Sequence, residues 1–144
     1  MQIVLRPATE VDKPYLLALR KQTMTEHLER QGIFLSNEAH LSRLEDHYKC
    51  SHLILIDNNK VGTLKYLQTQ DRLEIMQLQI SPKYQGLGLG TAVIKYIVTQ
   101  TAHLPTYLTV LKDNPAKHLY EQLGFIITSE DEYEFHMVLP ASSP

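Results

Sequence analysis

At 144 residues the chain has the size of one domain, since single hydrophobic cores commonly occupy about 100 to 200 residues, and two independent catalytic units do not fit. With 43% hydrophobic and 21% charged residues it matches neither a disordered chain nor a coiled coil. Fourteen Lys and Arg against sixteen Asp and Glu give a net charge of -2, and no basic block is present to neutralise a run of phosphates, so nucleic acid is not an expected partner.

The first ten residues, MQIVLRPATE, lack a basic start followed by a long apolar stretch, and no later run approaches the roughly 18 apolar residues of a membrane span. Export and membrane insertion are not expected. Ile3 and Leu5 alternate with polar neighbours up to Arg6 and Pro7, which predicts a short opening strand. A helix is expected next, with Asp12 capping its first amides, Pro14 in its first turn and Leu17, Met24 and Leu28 at helical spacing, ending around Gln31 and Gly32. A second helix is predicted from Ser36, with Leu41, Leu44 and Tyr48 on one face. The runs HLILID and KVGTLKYLQT read as an antiparallel hairpin turning at Asn58 and Asn59, residues that tolerate a left-handed backbone.

After a turn at Thr69, Gln70 and Asp71, LEIMQLQI continues as a third strand. Leu73 and Ile75 hold odd positions whereas Leu78 and Ile80 hold even ones. One extra residue near Met76 or Gln77, a β-bulge, would return both pairs to one face; a strand buried on both faces is the alternative. An amphipathic helix is expected from Leu89 to about Gln100, then a strand in LPTYLTVL, a helix begun by Asn114 and Pro115 and stopped by Gly124, and a closing hairpin, FIITSE and YEFHMVLP, around Asp131 and Glu132. Only the last four residues, ASSP, read as a loose tail.

The segment QISPKYQGLGLGT places a strand, a turn, three glycines at every second position and a helix in succession. Glycines let backbone come close to a ligand and aim successive N–H groups inward, and a helix N-terminus adds partial positive charge, so the segment suits a phosphate or pyrophosphate. No Lys-Ser or Lys-Thr pair follows, which excludes a Walker A loop, and Thr91 stands where a dinucleotide fold would need its third glycine.

Gln85-Gly86-Leu87-Gly88-Leu89-Gly90 resembles the Q/R-x-x-G-x-G/A pyrophosphate loop of the GNAT superfamily of acyl-CoA-dependent N-acetyltransferases, and NPAKHLYEQLGF, with Asn114, Ala116, Tyr120, Gly124 and Phe125, resembles its later signature. The order of elements is similar throughout. The resemblance implies a single α/β (α+β) domain over residues 1–144, with a mixed, mostly antiparallel sheet of about seven strands, a bulged and splayed central pair, and about four helices.

It further implies that acetyl-CoA is the co-substrate. The amides of Leu87, Gly88, Leu89, Gly90 and Thr91 would take the pyrophosphate, with Gln85 and Gly86 opening the loop. Backbone groups at Leu78 and Ile80 would pair with the pantetheine arm and polarise the thioester carbonyl. Tyr120 matches the tyrosine that protonates the departing thiolate in many members, and Glu74 stands where some carry a base. Asn114 reads equally as a contact of the cofactor arm and as an N-cap.

The activity so implied is acetyl transfer to a primary amine, small molecule or peptide, by direct attack, because no Ser, Cys and His set is placed to form a covalent intermediate. An acyl-CoA sensor without turnover is the competing class. The lone Cys50 precludes an internal disulfide and a Cys-based zinc site and reads as a small buried apolar residue, consistent with a cytoplasmic setting. His40 and His47 could share a helix face but lack a third ligand, so no metal is expected. The acceptor and the oligomeric state, a homodimer included, stay open.

Overall fold

The computed structural model describes residues 1–142. Seven strands, β1 (Ile3–Pro7), β2 (Ser51–Ile56), β3 (Asn59–Gln68), β4 (Leu73–Ile80), β5 (Thr106–Leu111), β6 (Ile126–Glu130) and β7 (Glu134–Leu139), form one sheet in the order β1-β2-β3-β4-β5-β7-β6. Every neighbouring pair is antiparallel except β4 with β5. Parallel neighbours need a crossover, and the helix after β4 supplies it. The final strand β7 inserts between β5 and β6, so the closing hairpin extends the sheet through its second strand.

Four helices cover the two faces: α1 (Lys13–Arg30), α2 (Asn37–Glu45), α3 (Leu89–Gln100) and α4 (Ala116–Gln122). Successive strand residues point to opposite faces, and β2 displays this: Ile54 belongs to a core built with Val93, Ile94 and Ile97 of α3 and Tyr120 of α4, whereas Leu53 packs with Leu16 of α1 and Leu44 of α2. The α3–α4 face holds the larger apolar core. At the far end of α1, Asp113, just after β5, accepts from Arg30 at 3.1 Å and pairs with His27 at 3.0 Å, and its amide donates to Gln31 at 3.0 Å. These contacts fasten α1 to the loop after β5.

Several local features differ from the sequence expectation. The left-handed residues of the first hairpin are Asp57 and Asn58, not Asn58 and Asn59, because Asn59 already pairs with Ile56. Asp12 precedes α1, yet its carboxylate turns back to accept from the Thr9 amide at 2.8 Å. Ser36 does cap α2, accepting from the Ala39 amide at 3.1 Å, but the helix ends at Glu45, so Tyr48 and His47 lie beyond it. His47 is left-handed at φ 54°, and His40 and His47 therefore share no helix face. Cys50 is half-buried and unpaired rather than fully interior. Of the expected loose tail, Ser142 donates its amide to the Ala102 carbonyl at 2.8 Å, and residues 143–144 lie outside the described residues. Among the described residues no helix is long and apolar enough to cross a membrane.

Candidate active site

The slip in apolar alternation along β4 is a β-bulge. Lys65 of β3 stands opposite Gln77 and Tyr66 opposite Ile75, so Met76 has no opposing residue. The bulge keeps Leu73, Ile75, Leu78 and Ile80 together on the α3–α4 face. It also changes which backbone groups look toward β5. Before the bulge the Leu73 amide donates to Pro105 beside β5, at 3.0 Å; after it, the Ser81 amide donates to Val61 of β3, at 2.8 Å. Groups alternate along a strand, so the N–H and C=O of Leu78 and Ile80 are directed away from β3. They meet no partner strand, because β4 pairs with β5 only from Leu73 to Ile75. The two strands then part, and an open gap with free backbone groups on one wall runs down the sheet.

At the end of that wall lies the glycine turn. Gln85 donates from its side-chain nitrogen to the Ile80 carbonyl at 2.9 Å, joining the turn to β4. Gly86 and Gly88 take φ of 78° and 76°, a region that disfavours side chains, and a Cβ on either would enter open space. Helix α3 begins at Leu89, and the first helical bond runs from the Ala92 amide to the Gly88 carbonyl at 3.1 Å. The amides of Leu89, Gly90 and Thr91 thus precede the helical ladder and carry the positive end of its dipole. Leu87 is exposed at the tip, whereas Leu89 is buried. A Cβ on Gly90 would make only ordinary contacts with Leu119 and Leu78, so the packing of α3 against β4 and α4 does not itself demand glycine there.

A cleft of about 860 Å³ passes through the gap. Its walls include Tyr120 of α4 and Arg20, Met24 and Arg43 of α1 and α2. Helices on opposite faces can line one cavity only where the sheet is open between them. Glu74, Gln77 and Gln79 line it together, as the bulge requires of side chains opposite Leu78 and Ile80. Tyr120 is 6% exposed, and burial pushes its phenol up to about 12, so it holds its proton at any physiological pH. The Asn114 side-chain oxygen accepts from the Ala116 amide at 2.9 Å, which realises the capping role, while the residue also lines the cleft. Glu74 is exposed at the mouth. Cys50 does not line the cleft, and among the described residues no group of three His, Cys, Asp or Glu could hold a metal ion.

Three buried polar residues at or just behind this site are not assigned to it from sequence, where His40 is weighed only as a metal ligand. Arg20 is 2% exposed, donates through Nε to His40 Nδ1 at 3.2 Å, and leaves Nη1 without a partner. Burial, with Arg43 nearby, lowers the guanidinium to about 10, where it remains charged at neutral pH. His40 is equally buried, and burial followed by the Arg20 charge lowers its pKa, so the ring accepts from Arg20 as the neutral form. Lys65 is the third, with Nζ donating to the carbonyls of Leu44 and Asp46 at 3.1 and 2.7 Å where α2 ends. The available signal was positional: Arg20 lies four residues after Leu16, on the stripe that faces the sheet.

A mixed sheet opened between two parallel strands and crossed by a cleft, with an amide-rich turn following the bulged strand, has the architecture of an acetyltransferase domain. The chain belongs to the GNAT acetyltransferase family, whose model matches residues 14–125. A spermidine N(1)-acetyltransferase of Escherichia coli is 32% identical over 99 residues, which cover 64% of this chain and 53% of that protein. A ribosomal protein bS18-alanine N-acetyltransferase of Haemophilus influenzae is 32% identical over 78 residues, 51% of this chain and 53% of that protein. The chain spans about half the length of these curated relatives. Among solved structures, an acetyltransferase from Thermus thermophilus superposes with a TM-score of 0.77 over 97% of each chain at 20% identity, a likeness of fold.

Proposed function

We propose that this domain transfers an acetyl group from acetyl-CoA to a primary amine by direct attack. The observation that carries the reading is the gap after Ile75, where unpaired backbone of β4 and Tyr120 border one cleft, and the glycine turn is tied by Gln85 to the end of the same strand. Residues Leu87 to Thr91 would receive the pyrophosphate through their amides, and the backbone of Leu78 and Ile80 would receive the pantetheine arm. With the Ile80 carbonyl already accepting from Gln85, Ile80 offers chiefly its N–H. The Asn114 oxygen is likewise committed to its helix, so a contact with the arm would come from its amide nitrogen.

The chemistry requires two proton movements. An alkyl ammonium must lose a proton before nitrogen can attack the thioester carbon, and sulfur must gain one as the C–S bond breaks. Glu74, at the mouth, serves as the base. Tyr120 serves the sulfur, and its raised pKa refines that role: full transfer from a phenol near 12 to a thiolate whose conjugate acid lies near 8.5 runs uphill by about 5 kcal/mol. Tyr120 therefore acts first as a hydrogen-bond donor to the developing thiolate, and proton release to sulfur is coupled to the proton leaving the attacking nitrogen. Half-buried Cys50, away from the cleft, offers no acyl-enzyme route.

The test is release of free CoA thiol when acetyl-CoA meets a panel of amines. Transfer to at least one amine, with the acetyl amide found in the product, is the expected outcome. A melting temperature raised by CoA with no thiol release from any amine would replace the enzyme by a binding domain.

A further inference from the structure

The acceptor side of the cleft carries a buried positive charge that nothing in the described chain neutralises. Arg20 is 2% exposed and still fully charged, and its Nη1 has no hydrogen-bond partner. No carboxylate among the described residues pairs with it. Of the acids that line the cleft, Glu45 is held by Lys13 at 3.1 Å, Asp46 lies beside His47 at 3.1 Å, and Glu74 and Glu134 stand farther along it; none is bonded to Arg20. The side-chain nitrogen of Gln79, 4% exposed, is likewise without a partner, and both residues line the cleft. The ammonium of Lys65 lies buried in the same wall, bonded to backbone carbonyls only. A buried guanidinium without a counter-ion is costly, and an orphaned donor beside it adds to the cost. Both costs are offset if a ligand brings the missing acceptor oxygens.

We infer that the acceptor is an amine that also carries a carboxylate, and that this carboxylate is bound by Arg20 and Gln79. The inference rests on the acetyl-transfer reading and gives it a substrate class. A planar guanidinium fork matches a carboxylate in two parallel hydrogen bonds, and the Gln79 amide supplies a third donor. His40 acts as a positioning residue: by accepting from Nε it turns the rest of the fork toward the cleft. The far end of the acceptor is its amine, and Glu74 stands along β4 from Gln79 by five residues, roughly 15 Å of extended strand, which suits an amino acid with a side-chain amine or a short peptide. A polyamine such as spermidine carries no acceptor oxygen and would leave Arg20 Nη1 and the Gln79 amide nitrogen without partners.

The inference is tested by matched pairs that differ by a carboxylate alone. A panel of amino acids, with lysine and ornithine among them, is compared with the corresponding decarboxylated amines, cadaverine and putrescine included, by thiol release from acetyl-CoA. A further arm compares short peptides with free and amidated C-termini, to separate free amino acids from peptides. The expected result is a kcat/KM at least tenfold higher for the carboxylate member of the preferred pair. Arg20→Met should lower that kcat/KM about ten- to a hundredfold, mainly through KM, and narrow the ratio within the pair. Exchanging a buried charge for an apolar chain of similar length is commonly tolerated, and Gln79→Leu provides a second variant should the first not fold. Transfer to amines with no preference for the carboxylate member overturns the inference and leaves the transferase reading standing. Should no amine release thiol, calorimetry on the CoA complex decides: carboxylate-selective binding retains the inference and sinks the transferase reading, whereas equal or absent binding overturns the inference.

Discussion

The two faces of the sheet offer different kinds of groups to a ligand. On the α3–α4 face the candidate groups are main-chain: amides of the glycine turn and the unpaired edge of β4, held over an apolar core. On the α1–α2 face they are side chains, with Arg20, His40 and Lys65 buried beside a smaller apolar cluster. A backbone site depends on where the chain turns and where a strand bulges. A side-chain site depends on which residue happens to face inward. The first kind can serve one invariant ligand, and the second can be changed one residue at a time.

The same division governs what could be read from sequence. The bulge at Met76 was legible because a slip in alternation must be absorbed somewhere, and α3 was legible because glycines give way to an apolar stripe at Leu89. Arg20 and Lys65 were not, since these residue types are almost always exposed, and only packing reveals that their positions face the core. The hairpin turn moved by one residue because Asp as well as Asn tolerates the left-handed region, so HLILIDNN leaves two registers open.

The comparison is tested most severely at Tyr120, which lies on the backbone-defined face but reaches the common cleft. Tyr120→Phe keeps the ring packed against Phe125, at 5.7 Å between centroids, and removes only the donor. Turnover should fall roughly ten- to a thousandfold with CoA affinity nearly intact. A wild-type rate would return Tyr120 to packing. Glu74→Gln should cost less, about ten- to a hundredfold at neutral pH, with part of the rate recovered as rising pH supplies free amine. Loss that is the same at every pH would remove the base role.

If the CoA side is truly main-chain, side chains there should matter little unless they block or twist the backbone. Gly88→Val combines an unfavourable φ of 76° with bulk in the space before the α3 amides, and CoA should bind at least about tenfold more weakly. Leu87→Ala, at an exposed tip, should leave the dissociation constant within about twofold. Titration calorimetry on both variants decides; a large effect at Leu87 would contradict a main-chain site. On the opposite face Lys65→Met should leave the carbonyls of Leu44 and Asp46 unsatisfied and lower the melting temperature by several degrees, consistent with a loss of about 1–3 kcal/mol. An unchanged transition would show that the end of α2 needs no ammonium.

The smallest effect expected is a pH dependence of stability that belongs to the side-chain face. Burial lowers the pKa of His40, with the Arg20 charge adding to it, and burial also lowers that of His52. Each has a folded-state pKa below the ordinary value near 6.5, so at pH values between the two the unfolded chain binds more protons than the folded one. Stability is then complete above pH 6.5 and is lost as pH falls from there through the folded-state values. Protonation would also remove the lone pair by which His40 accepts from Arg20, placing two positive charges together. His40→Gln keeps an acceptor without a titrating ring. Its melting temperature should therefore fall less than that of the wild type between pH 7.5 and 5, with a residual slope from His52. Parallel slopes for the two proteins would mean that His40 protonates without cost, and the tight Arg20–His40 pairing behind the cleft would have to be abandoned.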